Sequence, residues 1–255
     1  MRRARVAYSG AIHDAEHCRQ GETDALRLED GRLVREHEVV WLPPLEAGTV
    51  VALGLNYADH AKELAFSAQA EPLVFLKGPG TLLGHRGETR RPADVGFMHY
   101  ECELAVVIGR AARNVSRSDA MQYVAGYTIA NDYAIRDYLE NWYRPNLRVK
   151  NRDGATVLGP WLVDAADVND PHNLDLRTYV NGNLVQHGNT RQMIFDIGFL
   201  IEYLSSFMTL VSGDVILTGT PHGVVNVMPG DEVICEIDGL GRLSNTIVAD
   251  AAFGR

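Results

Sequence analysis

Apolar and polar residues fall in short blocks and alternations along most of this chain, a pattern of strands more than of long helices. Thr49–Leu55, Pro72–Lys77 and Gly126–Ala130 read as buried strands, and further strands are predicted at 174–180, 214–218 and 232–238. Helical periodicity is clear only at about 192–207, where Ile194, Phe195, Ile197, Gly198, Leu200, Ile201 and Leu204 recur near the helical spacing. Shorter helices are predicted at Ser118–Val124 and after Asn131-Asp132-Tyr133, running through Asp137 to Trp142. Regular βαβ alternation is missing. The pattern predicts a mixed, β-rich α+β fold with peripheral helices, not a doubly wound sheet.

The chain divides at Trp41-Leu42-Pro43-Pro44, because a Pro-Pro pair stops regular structure. Residues 1–45 are expected to form a small N-terminal β section of short apolar pieces split by Asp30-Gly31, and 46–255 the main domain. No internal repeat or low-complexity segment interrupts either.

One predicted strand carries an unexpected charge. His99-Tyr100-Glu101-Cys102-Glu103 leads into Leu104-Ala105-Val106-Val107-Ile108-Gly109. Strand side chains alternate faces, so Glu101 and Glu103 share one, roughly 6–7 Å apart. That face continues through Ala105 and Val107, which points to burial, although a solvent-facing strand edge would also accommodate the pair. Two buried carboxylates require a cation, and a hard divalent metal with oxygen ligands satisfies both together. Asp132, at the predicted end of a strand, is the candidate third ligand; its alternative is a helix N-cap before Tyr133.

Other residues can serve such a centre. Asn56 can cap a short helix on which His60 and Glu63 stand three apart on one side, the arrangement of a carboxylate-oriented general base. A solvated pair on an exposed helix is the plainer reading. Gly54 and the Phe66–Ala70 stretch suggest a flap that closes over a site. Lys77, Arg136 and Lys150 lie near predicted element ends. Converging on a metal, they would hold a substrate with more than one carboxylate. The turn Thr218-Gly219-Thr220-Pro221-His222-Gly223 offers backbone N–H groups and the Thr220 hydroxyl to a carboxylate or enolate oxygen.

Composition narrows the field. A net charge of −9 over 255 residues argues against a general affinity for nucleic acid or anionic membrane. The cysteines Cys18, Cys102 and Cys235 are scattered, which fits a reducing compartment and excludes a cysteine zinc site. Met1-Arg2-Arg3-Ala4-Arg5 lacks the apolar core of a signal peptide, and no apolar run approaches a membrane span. A cytoplasmic enzyme is expected.

Taken in order, these segments resemble the fumarylacetoacetate hydrolase family. The matching pieces are Asn56-Tyr57 with His60 and Glu63, Phe75-Leu76-Lys77, Tyr100-Glu101-x-Glu103-Leu104, Gly126-Tyr127 with Asn131-Asp132, and Lys150 with Asp153. Leu158-Gly159-Pro160-Trp161, Thr218 to Gly223, and Gly230-Asp231-Glu232 with Ile237 to Gly241 follow. The resemblance covers about 50–248. It implies a β-roll fold, Mg²⁺ or Mn²⁺ held by Glu101, Glu103 and Asp132, and His60 with Glu63 as acid–base pair on a lid. Lys150 becomes the substrate-side lysine and Thr220 part of the substrate-binding turn, with Lys77 and Arg136 alongside as substrate-binding cations. A homodimer is implied, or a heteromer with a homologous subunit.

The stretch from Asn131 to Lys150 resembles the isomerase/decarboxylase branch, and Asn151-Arg152-Asp153 departs from the hydrolase pattern of a small residue, an aromatic and Asp after the lysine. The branch implies decarboxylation of 5-oxopent-3-ene-1,2,5-tricarboxylate and isomerisation of 2-hydroxyhepta-2,4-diene-1,7-dioate, with this chain similar to the second of two homologous halves. Hydrolysis of an acylpyruvate or fumarylpyruvate-type 1,3-dicarbonyl, decarboxylation of oxaloacetate, and a non-catalytic metal-binding module are the competing functions.

Overall fold

The structure, a computed structural model, describes residues 1–21, 23–59, 70–139 and 147–250. His60, Glu63 and residues 66–69 of the expected flap lie outside the described residues, as do the last three residues, 140–142, of the helix expected through Trp142.

A twelve-stranded sheet dominates. Its order is Leu33–Val34, Thr23–Leu28, Ala11–Gln20, Arg2–Tyr8, Thr156–Asp164, Val124–Asp132, Cys102–Ile108, Val215–Leu217, Val50–Gly54 and Leu73–Lys77. Val40–Leu42 pairs with Arg2–Tyr8, and Leu82–Gly84 runs parallel to Thr156–Asp164. The N-terminal strands join through Arg2 and Arg3, which pair with Val163 and Leu162. A second sheet is ordered Asn183–Asn189, Asp175–Val180, Glu232–Ile237, Gly241–Ala249 and Glu88–Arg91. The β-rich α+β expectation holds.

Alternation along Cys102–Ile108 builds two cores. Cys102, Leu104, Val106 and Ile108 face the larger one, with Leu176, Val233 and Cys235 of the second sheet and Ile197, Leu200, Ile201 and Leu204 of the helix Ile197–Phe207. Ala105 and Val107 face a smaller core with Val50, Ala52, Phe75, Ala130 and Leu217. Both faces are covered, so all seven residues of that strand are buried. A charge on the second face is therefore a charge inside the protein.

Three helical expectations are corrected. The long helix starts at Ile197, not near 192, because the Asp196 side chain accepts from the Phe199 N–H at 2.8 Å and caps it there. Residues 190–192 form a separate 3₁₀ turn with an Asn189/Gln192 capping box. Ala120–Tyr123 is likewise only a 3₁₀ turn, and Val124 already begins a strand. Asp132 is the last residue of that strand rather than a helix cap; Ala134–Ile135 and a 3₁₀ turn at Arg136–Tyr138 follow.

Candidate metal centre

Strand register assembles the acidic cluster. Cys102 pairs with Asn131 and Glu103 with Ala130, and the Asp132 N–H donates to the Glu101 carbonyl at 2.9 Å. Glu101 and Asp132 thus sit opposite each other across neighbouring strands, and Glu103 lies two residues along the same face. Each residue offers a carboxylate oxygen, and the three lie within 4.8 Å of one another. Glu101 is 5% exposed, Glu103 and Asp132 not at all. A solvent-facing strand edge is excluded.

The Glu103 carboxylate is half satisfied. Its Oε2 accepts from the Gly219 N–H at 2.6 Å, while Oε1 is buried without a hydrogen-bond partner. Burial, with Asp132 and Glu101 beside it, pushes the Glu103 carboxyl well above the ordinary carboxylate range. Gly219 is required for that contact: its φ is +88°, and an added Cβ would stand 3.0 Å from Asn56 Cβ. Of the backbone N–H groups in this turn that were expected to receive a substrate oxygen, that of Gly219 is thus committed to Glu103.

Three cations meet the carboxylates. Lys150 Nζ donates to Glu101 Oε2 at 2.5 Å and Asp132 Oδ2 at 2.9 Å. Lys77 Nζ donates to Asp132 Oδ1 and to the Lys150 carbonyl. Arg136 Nη2 reaches Glu101 Oε1 at 3.2 Å. Burial pulls the Lys77 ammonium below its ordinary range despite Asp132. For Lys150, burial acts in the same direction, but the Asp132 and Glu101 charges outweigh it and the group is held above. The structure therefore gathers Lys77, Arg136 and Lys150 with Glu101, Glu103 and Asp132.

Several further residues support the cluster. Buried His99 is held by burial at a pKa of about 3, hence neutral; its Nδ1–H donates to the Tyr100 carbonyl at 2.9 Å and its Nε2 accepts from Arg136 Nε at 2.7 Å. Asn131 points to the other face, where its Oδ1 accepts from the Glu101 N–H and its Nδ2 donates to Asn245 on the second sheet. Asn56 bridges segments: its Nδ2 donates to the Phe195 and Thr218 carbonyls, and its Oδ1 accepts from the Phe195 N–H. Thr220 is buried, and its hydroxyl accepts from Gln186 Nε2 at 3.0 Å.

The oxygen-only donor set and the orphaned Glu103 Oε1 fit a hard divalent cation. The family model described as fumarylacetoacetate (FAA) hydrolase C-terminal matches residues 49–248, which contain every one of these groups. The chain belongs to that family. It is similar to the 4-hydroxyphenylacetate degradation bifunctional isomerase/decarboxylase of Salmonella dublin, 61% identical over 224 residues, 88% of this chain and 52% of that protein. The chain spans about half the length of such curated relatives.

Among solved structures it is similar to 5-carboxymethyl-2-hydroxymuconate delta-isomerase from Mycobacterium smegmatis, with a TM-score of 0.87 and 37% identity over 98% of this chain and 100% of that one. Fumarylpyruvate hydrolase from Pseudomonas aeruginosa, solved with Mn²⁺ and pyruvate, matches with a TM-score of 0.76 and 31% identity over 82% of this chain and 92% of that one. The fumarylacetoacetate hydrolase-like fold expected from the sequence is thereby established, and a family neighbour carries a divalent metal.

Proposed function

We propose that this chain is a divalent-metal-dependent decarboxylase and isomerase of 2-oxo acids, with Mg²⁺ or Mn²⁺ held by Glu101, Glu103 and Asp132. Its proposed substrates are 5-oxopent-3-ene-1,2,5-tricarboxylate and 2-hydroxyhepta-2,4-diene-1,7-dioate. The observation that carries the reading is the buried three-carboxylate cluster with an unpartnered oxygen, faced by Lys77, Lys150 and Arg136. The kinship to an isomerase/decarboxylase and to an isomerase of known structure supports it.

Charge supports the substrate class. With all three acids ionised, the three cations neutralise them, so a divalent ion leaves the pocket with an excess of two positive charges. A substrate with several carboxylates matches that excess.

The bound ion supplies Lewis-acid polarisation of a 2-oxo group, an effect worth several kcal/mol. Lys150 and Lys77 hold the substrate carboxylates, and Arg136, fixed by neutral His99, presents its guanidinium to a further one. The bond to the carboxylate leaving as CO₂ then breaks, and its electron pair passes along the conjugated chain to the 2-oxo oxygen. Protonation of that oxygen gives the hydroxydiene diacid; loss of this proton and protonation at C5 gives 2-oxohept-3-ene-1,7-dioate. His60 with Glu63 is the proposed acid–base pair for both transfers, and Thr220 the proposed substrate-turn hydroxyl. The two-part division at 1–45 and 46–255, the homodimer or homologous heteromer, and a cytoplasmic setting belong to the same proposal.

Assaying purified, Mg²⁺-loaded protein against the tricarboxylate, an acylpyruvate and oxaloacetate tests this. The expected outcome is CO₂ release with a diene absorbance from the tricarboxylate. Cleavage of the acylpyruvate into two carboxylate fragments, with no CO₂ from the tricarboxylate, would overturn it in favour of a hydrolase.

A further inference from the structure

Lys77 and Lys150 come from segments 73 residues apart, yet their ammonium groups share one carboxylate: Asp132 Oδ1 accepts from Lys77 and Oδ2 from Lys150. Something must fix their separation. The lysine of the second segment stands at the end of Leu147–Lys150, a helix of a single turn, which is too short to hold its shape alone. The residue that follows, Asn151, makes three bonds. Its backbone N–H donates to the Leu147 carbonyl at 2.8 Å and closes the turn. Its side-chain Oδ1 accepts from the Gly78 N–H at 2.6 Å, and Nδ2 donates to the Leu76 carbonyl at 3.0 Å.

Residues 76 and 78 flank Lys77. One primary amide therefore brackets the backbone of Lys77 while its own main chain terminates the turn that carries Lys150. The Lys77 ammonium returns the contact by donating to the Lys150 carbonyl. The seam continues outward: the Gly154 N–H donates to the Gly80 carbonyl at 3.2 Å, and Leu82–Gly84 then pairs with Thr156–Leu158. Asn151 is the point where this seam reaches the site. Only a side chain with both a donor and an acceptor at this reach bridges a carbonyl and an N–H two residues apart.

We propose that Asn151 is a positioning residue: it sets the spacing of the Lys77 and Lys150 ammonium groups and thereby the affinity of the site for the carboxylates of a 2-oxo acid. The inference rests on the reading that these two lysines bind substrate.

A double-mutant cycle separates the two ideas. Oxalate, as the 2-oxo acid mimic, is titrated calorimetrically into Mg²⁺-loaded wild type, Asn151→Ala, Lys77→Met and the double variant. Each single variant is expected to bind oxalate about tenfold more weakly, the scale of losing one or two hydrogen bonds. The double variant should be no weaker than Lys77→Met alone. Asn151→Asp keeps the acceptor for Gly78 and loses the donor to Leu76, so it should fall between wild type and Asn151→Ala. That milder variant decides the matter if the alanine variant does not fold.

A residue that merely stiffens the fold would lower the melting temperature and leave oxalate affinity intact. Wild-type affinity in both Asn151 variants, with a loss in Lys77→Met, overturns the positioning role alone. Losses that multiply in the double variant also overturn it. Wild-type affinity in Lys77→Met overturns the substrate-binding reading and this inference with it.

Discussion

Burial favours the neutral form of every titratable group it encloses, and the neighbouring charges decide whether it prevails. Glu103, among other acids, is driven toward its neutral form, whereas Lys150, facing two carboxylates, keeps its charge. His85 shows the effect away from the acidic cluster. Packed edge-on against Trp41, it accepts the Ser244 N–H on Nδ1, and burial lowers its pKa from 6.5 to about 3. The unfolded chain therefore takes up this proton first. The stability His85 contributes is whole above about pH 6.5 and is lost as the pH falls toward about 3. Urea unfolding at about pH 7 and about pH 4.5 checks this: His85→Gln should lose roughly 2 kcal/mol less than wild type over that interval. Equal losses would show that His85 protonates alike in both states. Glu101 and Glu103 were legible in the sequence because a charge inside an apolar alternation is conspicuous, and Asp132 because it stands at the end of a predicted strand. The contacts of His99, Asn131, Asn245 and Gln186 were not, because a polar residue in a strand does not announce a partner more than thirty positions away.

Elements were legible where pattern and chemistry agree. Cys102–Ile108 and Val50–Gly54 lie where their apolar runs predict, whereas Thr156–Asp164 was missed because Gly159-Pro160 reads as a turn. The strands Asn183–Asn189 and Gly241–Ala249 carry too many polar residues to stand out. The helix Ile197–Phe207 was found by its period but placed too early, since the apolar run begins before the cap that starts it. Its start rests on Asp196, which also pairs with Arg117 at 2.5 Å. Asp196→Ala should cost about 1 kcal/mol and lower the melting temperature by about 2–4 °C in a domain of this size. An unchanged melting temperature would show that the cap does not set the helix boundary.

At the scale of the whole molecule, the sheet brings residues 77, 101, 103 and 132 together and the turns after it add 136 and 150, so the centre exists only in the folded chain. Among the described residues no helix is long and apolar enough to cross a membrane. The isomerase/decarboxylase relatives are about twice as long as the stretch this chain matches, which supports pairing of two such modules; sedimentation equilibrium should return twice the chain mass, and a monomer mass would refute the homodimer. The account as a whole depends on the acidic cluster being a metal centre. Its most direct test is calorimetric titration of Mn²⁺ into wild type and Glu103→Gln, since among the described residues Glu103 supplies the one buried carboxylate oxygen without a partner. The account predicts one Mn²⁺ per chain in the wild type and at least about 100-fold weaker binding in the variant. Equal affinity in the two proteins would contradict it.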